Sequence, residues 1–324
     1  MQNNNNSSLE RSIIATLCYF DAFDYPLTLM EIWKWLFGEG NIKKCSLEEI
    51  SEVIKGSQAV SEKIESENGF YFLNGRKDIV KTRKRRYQVA EGKMKRAIKI
   101  SKVLRYIPFV RMIAVCNNLA YGNAKKNSDI DFFIVVARNR LWQTRFFVSL
   151  ITHLMRMRRH NGFISNRICL SFYVTDDYLD LEKLMITPID PYFIYWFGQL
   201  VPIYDSQGYF NKLVSMNKWI NGYLPNLIFN KPVQRRAIKD NKWSFALKNM
   251  KEVILGGVLG NFLERILKAV QKKKMIRNKE SKLREQNTAV IIEDDILKFH
   301  ENDRRKQYAE QFSKKMTEEL IQTQ

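Results

Sequence analysis

The sequence has few of the residues that build disulfide frameworks or zinc sites. Its four cysteines lie far apart and form no Cys-x-x-Cys pair. They are Cys18, Cys45, Cys116 and Cys169. This spacing argues against a zinc site and indicates free, mostly buried thiols in a reducing compartment.

Long apolar runs are also missing. The stretch from Val253 to Val270 is interrupted by Glu264 and Arg265, so it falls short of a membrane-spanning segment. The opening residues, MQNNNNSSLE, have neither a basic n-region nor an apolar h-region, and we expect no signal peptide. The sequence therefore predicts a cytoplasmic protein without a membrane partner.

Acidic residues are scarce beside basic ones. The 324 residues include 54 Lys and Arg but 34 Asp and Glu, which gives a net charge of +20. The segment from Arg76 to Arg111 contains fourteen basic residues and two acidic residues, Asp78 and Glu91. A general solubility charge is one explanation, and a polyanionic partner such as nucleic acid, bound at the basic helix over 76–106, is the other.

The composition of 45% apolar and 12% aromatic residues indicates a folded chain, long enough for two or three domains. Over residues 1–75, helical periodicity, two capping boxes at Thr28 and Ser46, and a hairpin pattern ending at Leu73 predict a winged-helix-like domain. Its third helix carries Glu48 and Glu49 near its start, so we expect a packing or protein-contact role more than groove binding.

Helical patterns dominate the flanks of the predicted core. Apolar spacing predicts helices over 77–106, over 141–159 and, as one long helix, over 243–275. Gly256, Gly257 and Gly260 in the last of these suggest close packing against a neighbour. A short strand over 288–292 and a final helix opening at 293–295 complete a predicted C-terminal helical region, 206–324. We interpret His153 and His160 as parts of a basic helix end, without a role as ligands or bases.

Two aspartates at the start of an apolar run are the strongest chemical signal. Asp129 and Asp131 flank Ile130 and lead into the buried strand FFIVV. Side chains alternate on a strand, so both carboxylates face the same way, roughly 7 Å apart by i and i+2 spacing. Like charges that close beside an apolar layer repel each other unless a cation lies between them, which points to a divalent metal.

The surrounding order narrows the choice. A strand over 111–116, a turn into a short helix over 117–122, and Ser128 directly before Asp129-Ile130-Asp131 resemble the nucleotidyltransferase fold of the DNA polymerase β superfamily, as found in bacterial nucleotidyltransferase-domain proteins. The resemblance implies an α+β fold, with a mixed sheet and flanking helices over 76–205. It also implies that Asp129 and Asp131 are catalytic residues that bind Mg²⁺ (or Mn²⁺).

The sequence departs from the family at two points. Asn117-Asn118 replaces the Gly-Ser pair that holds the triphosphate in the family, and Asn has a Cβ where Gly lets a phosphate approach the backbone. The next strand, predicted over 168–174, lacks the family's third carboxylate. Ser171 is nearest to that position, and Asp176 or Asp177 at the strand end could replace it.

These motifs lead to two hypotheses. The first is a magnesium-dependent nucleotidyltransferase that moves a nucleotidyl group from a nucleoside triphosphate to an unidentified acceptor. Its phosphates would be held by the turn at Asn117 and Asn118 with Ser128, Lys125 and Lys126. The alternative is a catalytically impaired protein of the same fold that acts as a nucleotide-sensing or nucleic-acid-binding module.

Overall fold

A mixed six-stranded sheet forms the centre of the molecule. The computed structural model describes residues 2–38, 43–160, 162–186, 188–229, 236–283, 288–300 and 303–321. The strands in spatial order are β7 (Val201–Asp205), β4 (Val110–Val115), β5 (Ile130–Val136), β6 (Ile168–Thr175), β9 (Ile296–Phe299) and β8 (Val290–Ile292). Only β5 and β6 pair in parallel, while the other neighbours are antiparallel.

Helices cover both faces of this sheet. One face packs against α1 (Gln2–Asp21) and α8 (Pro191–Gly198), the other against α5 (Asp78–Leu104) and α7 (Leu141–Leu154). Alternation along the strands divides the core, because Phe133 of β5 points to the first face and Ile134 to the second. The predicted α+β class is confirmed.

The N-terminal elements run in the order helix, short strand, helices and hairpin. After α1 come β1 (Leu27–Thr28), α2 (Leu29–Lys34), α3 (Leu47–Gly56), α4 (Gln58–Ser61), β2 (Ile64–Glu67) and β3 (Phe70–Leu73). The three strands form a small sheet in the order β1-β3-β2. Both predicted capping boxes are present, at Thr28 with Glu31 and at Ser46 with Glu49. The apolar core of these elements is continuous with one face of the central sheet.

The chain after β6 differs from its prediction. The helices after β6 are α8, described above, α9 (Tyr209–Met216), α10 (Ile220–Tyr223), α11 (Lys242–Gly256), α12 (Val258–Leu283) and α13 (Arg305–Ile321). A short helix, α6 (Asn117–Ala120), lies earlier, between β4 and β5. The long helix expected over 243–275 is broken at Gly257, and the final helix begins at Arg305. Residues 296–299 form a strand that pairs antiparallel with both β6 and β8, so the C-terminal region is not purely helical.

Close packing at the α11–α12 break explains one of the three glycines there. A Cβ at Gly260 would overlap the backbone carbonyl of Leu255, whereas Gly256 and Gly257 have no neighbour within 4 Å of such an atom. Gly260 therefore allows the two helices to meet. None of the helices in the described ranges is both long and apolar enough to cross a membrane.

Candidate metal centre

Two carboxylates lie at the start of β5. Asp129 directly precedes the strand, and Asp131 is its second residue. Ile130 is fully buried, and its N–H donates to the carbonyl of Arg167 at 2.8 Å. Strand alternation therefore turns both carboxylates to the face opposite Ile130. The structure brings the two predicted metal ligands together.

A thiol is the third member of this cluster. Cys169 is the second residue of β6 and pairs with Asp131 across the parallel strands. The ligand atoms of Asp129, Asp131 and Cys169 all lie within 4.8 Å of one another, a spacing that could hold a metal ion. Sequence reasoning missed Cys169 because it looked for a carboxylate; Ser171, its nearest candidate, lies two residues further along the strand.

Asp176 and Asp177 do not complete this cluster. They follow Thr175, which pairs with Val136 at the opposite end of the parallel strands. There the Asp176 carboxylate accepts a hydrogen bond from the backbone N–H of Arg138 at 2.9 Å, and Asp177 forms an ion pair with the Arg138 side chain at 3.0 Å. The idea that one of them swings into the metal centre is therefore wrong.

An arginine already contacts one of the carboxylates. Arg159 donates from Nη1 to Oδ2 of Asp129 at 2.6 Å and also approaches the sulfur of Cys169 at 3.7 Å. The sequence placed Arg159 at the end of a helix, but α7 stops at Leu154. Arg159 lies in an extended segment beside β6, where its N–H donates to the carbonyl of Ile168 at 3.0 Å. This backbone contact positions the guanidinium beside Asp129.

Burial and neighbouring negative charge raise the pKa values of two groups in this centre. Burial, followed by the nearby Asp129 charge, raises the pKa of Asp131 to about 7. Burial, followed by the charges of Asp131 and Asp129, raises the pKa of the Cys169 thiol to about 12. A divalent cation would stabilise the charged forms of these groups.

The Asn117-Asn118 turn adjoins the centre but is held by aromatic side chains. Asn117 has a left-handed backbone, with φ of 56°, which Asn tolerates better than most residues. Its side-chain oxygen accepts from the hydroxyl of Tyr192 at 3.2 Å, and the oxygen of Asn118 accepts from Tyr121 at 2.7 Å. A small cavity beside this turn is lined by Asn117, Asn118, Tyr121 and Tyr192 together with Tyr19, Phe23, Trp196 and Gln199. A triphosphate would have to displace these contacts to reach the turn.

The other predicted phosphate ligands lie on the loop before Asp129. Lys125 and Lys126 are exposed, and the hydroxyl of Ser128 donates to the carbonyl of Lys125 at 2.9 Å. Lys93, a nearly fully buried residue of α5, fixes this loop by donating to the carbonyls of Lys126 and Ser128 at 3.1 and 2.6 Å. Sequence reasoning counted Lys93 among the cations for a polyanion, but its ammonium group positions the loop.

Other cations of the basic helix are likewise used inside the molecule. Arg76 and Arg86 each pair with Asp24 at 2.9 Å, and Arg83 pairs with Glu31 at 2.7 Å. These contacts join α5 to the N-terminal elements. The exposed cations of the helix are Lys81, Lys84, Arg85, Lys95, Arg96, Lys99 and Lys102. The surface open to an anion is therefore smaller than the local charge suggested.

A second concentration of charge lies between β9 and α13. Arg305 donates to the carboxylate of Asp190 at 2.9 Å and to that of Asp303 at 2.9 Å, and Lys298 lies 3.8 Å from Asp303. Arg305 and Asp190 are almost completely buried. Burial, followed by the neighbouring Lys298 charge, lowers the pKa of His300 to about 3. This cluster attaches the C-terminal segments to the core.

Comparisons with family models, curated proteins and solved structures find no match for this chain. The chemistry of the donor set therefore decides what the centre could hold. Carboxylates suit Mg²⁺ and Mn²⁺, whereas a thiolate suits softer ions such as zinc. Two of the three donors are carboxylates, so the residues fit a hard divalent ion held by Asp129 and Asp131, with Cys169 beside it.

Proposed function

We propose that Asp129 and Asp131 bind a divalent metal ion and, through it, the phosphates of a nucleoside triphosphate. The protein would then be a nucleotide-binding module on a nucleotidyltransferase-type core. The observation that carries this proposal is the cluster of Asp129, Asp131 and Cys169 on neighbouring parallel strands, within 4.8 Å of one another. The metal would neutralise phosphate charge and orient the triphosphate.

The order of elements supports this choice of core. An antiparallel pair, β4 and β5, is joined through the short helix α6, and β6 then adds in parallel after α7. This arrangement fits the nucleotidyltransferase resemblance, with the Asp-x-Asp on the second strand. The N-terminal order of helix, strand, helices and hairpin similarly supports a winged-helix-like module.

The third position of the cluster favours binding over transfer. Metal-assisted transfer needs carboxylates that hold the ions around the attacking and leaving oxygens. The third member of the cluster is the thiol of Cys169, which pairs with Asp131 across the strands, and not a carboxylate. Arg159 in addition occupies one oxygen of Asp129. We therefore place the nucleotide-binding function ahead of turnover.

Nucleotidyl transfer to a polyanionic acceptor is the second candidate. The exposed cations on the later turns of α5, such as Lys95, Lys99 and Lys102, favour it, because they offer a surface for nucleic acid. In this version Asp129 and Asp131 would hold the metal, and the exposed Lys125 and Lys126 would contact the phosphates.

Calorimetry tests the proposed function directly. Each of the four nucleoside triphosphates is titrated into the full chain with Mg²⁺, with Mn²⁺ and with EDTA. We expect metal-dependent binding of at least one triphosphate, weakened about 100-fold or more in Asp131→Ala because the variant loses a direct metal ligand. Asp177→Asn, which removes an exposed acid at the far end of the strands, is the matched control.

Two results would count against the proposal. Binding that persists in EDTA, or that is equal in Asp131→Ala and wild type, overturns it. A parallel assay with α-labelled triphosphates, Mg²⁺ and total RNA separates the two candidates. Label transfer that is lost in Asp129→Asn replaces the binding function with the transferase.

A further inference from the structure

Helix α11 turns polar side chains toward the protein. Ser244, Lys248 and Glu252 follow one another at four-residue spacing, on one side of the helix. Lys248 is nearly fully buried and donates to the hydroxyl of Tyr204 at 2.9 Å. Glu252 accepts from the backbone N–H of Phe109 at 2.7 Å. The inner side of α11 is thus held by hydrogen bonds and ion pairs.

Helix α12 repeats this arrangement. Its inward residues Glu264, Lys268 and Gln271 again lie three and four positions apart. Glu264 accepts from the backbone N–H of Trp142, at the start of α7, at 2.8 Å, and Lys268 pairs with Asp294 at 2.6 Å. Both helices therefore contact the protein through polar residues, to which α12 adds the buried Met275 and the partly buried Leu267.

The opposite sides of these helices carry large apolar side chains, here called the outer apolar face. Its members are Trp243, Leu247, Met250, Ile254, Val258, Phe262, Ile266 and Val270. They are between 40 and 87% exposed and recur at three- or four-residue spacing along each helix. A helix on a water-exposed surface shows the reverse pattern, with apolar residues inward. The outer apolar face is therefore suited to a low-dielectric partner.

Charge identifies the kind of partner. Between residues 242 and 277 the two acids, Glu252 and Glu264, both make the inward contacts described above. The exposed charges between residues 242 and 277 are all positive: Lys242, Arg265, Lys273, Lys274 and Arg277. Lys273 and Arg277 extend the line of Val270 by three and seven positions, so cations border the apolar side chains.

We propose that the outer apolar face binds the surface of a bilayer that contains anionic lipid, with α11 and α12 lying in the interfacial plane. Aromatic and aliphatic side chains would enter the headgroup boundary while the bordering cations contact lipid phosphates. A second copy of this chain fits less well, because a self-complementary contact would bring the same cations together. The sequence predicted no membrane partner because no apolar run reaches membrane-spanning length, and it did not reveal which side of these helices faces outward.

Vesicle flotation tests the proposal with the full chain. Vesicles of phosphatidylcholine with one third phosphatidylglycerol are compared with vesicles of phosphatidylcholine alone, at low and high salt. We expect binding to the anionic vesicles that weakens with salt, and at least about tenfold weaker binding for the double variant Val258→Asp/Phe262→Asp, because it places charge in the apolar contact. Met30→Asp, at a similarly exposed apolar residue of α2, is the control and should bind like wild type.

A second variant separates charge from apolar contact. Lys273→Gln/Lys274→Gln/Arg277→Gln should lower affinity for anionic vesicles and reduce its salt dependence. No binding to anionic vesicles, or equal binding by Val258→Asp/Phe262→Asp and wild type, overturns the proposal. So does a concentration-dependent dimer in light scattering that the double aspartate variant abolishes, since a second copy would then cover the face. These readouts do not involve nucleotide and are independent of the proposed function.

Discussion

Two clusters of charge in this protein differ in how well their charges are matched. The cluster at Arg305 places its ions in the core, where Asp190 and Asp303 both contact the same guanidinium. The cluster at Asp129 lies at the start of two parallel strands, where two carboxylates and a thiol lie within 4.8 Å of one another and Arg159 contacts Asp129 and Cys169. We call the first the closed cluster, because its acids are matched by buried cations, and the second the open cluster, because its two carboxylates lie beside one guanidinium.

This difference teaches how to separate a structural ion cluster from a candidate site. A buried charge with its partners removed from water is strongly destabilised when one partner is lost. A partly open cluster with excess charge gains from a cation supplied from outside. The number of charged residues in a stretch of sequence therefore does not distinguish a structural ion cluster from a candidate site. The balance of opposite charges and their burial does.

The largest effect should come from breaking the closed cluster. Arg305→Met leaves Asp190 buried without its ion pair, and we expect a loss of about 3–5 kcal/mol in the free energy of unfolding. Urea denaturation followed by circular dichroism measures it. Arg304→Met, at the exposed neighbouring position, is the control and should change stability by less than about 0.5 kcal/mol. A loss below about 1 kcal/mol for Arg305→Met would remove the structural role given to this cluster.

The closed cluster also makes the protein sensitive to acid. Burial lowers the pKa of His300 in the folded protein to about 3. In the unfolded chain this histidine binds a proton near pH 6.5, whereas in the folded protein it stays neutral until the pH approaches 3. The contribution of His300 to stability is therefore complete above about pH 6.5 and is lost as pH falls toward 3. Between pH 7 and pH 5 we expect a decrease of about 1–2 kcal/mol that His300→Gln removes.

A matched histidine isolates this titration. His153 is exposed at the end of α7, so His153→Gln should keep the wild-type pH dependence. Chemical denaturation at several pH values compares the two variants. If His300→Gln and wild type lose the same stability on acidification, another group causes the acid sensitivity.

Local patterns in the sequence were sufficient for much of the fold. The capping boxes at Thr28 and Ser46, the basic helix and the Asp-x-Asp strand all depend on neighbours within a few residues, and the structure has each of them. The strand at 296–299 was mistaken for helix because it is fixed by pairing on both sides, with β8 a few residues earlier and with β6 more than a hundred residues earlier. Long-range pairing overrides local preference in such segments.

The candidate site was predictable to the same limited extent. Asp129 and Asp131 follow from alternation along one strand, which is a local property. Cys169 joins them only through the parallel register with β6, and Arg159 only because α7 ends five residues before it. The inward polar side of α11 was likewise hidden, because helical spacing shows two faces without telling which one meets the protein.

The smallest effect concerns the open cluster itself. Arg159→Gln removes a half-exposed ion pair, so the free energy of unfolding should change by less than about 1 kcal/mol. The same change frees an oxygen of Asp129, and affinity for Mn²⁺ alone should rise about threefold, as measured by calorimetry without nucleotide. Arg138→Gln, which removes the ion pair with Asp177 at the other end of the strands, should leave Mn²⁺ affinity unchanged. A lower Mn²⁺ affinity in Arg159→Gln would mean that Arg159 organises the centre and does not compete with the metal, and the contrast between the open and the closed cluster would then disappear.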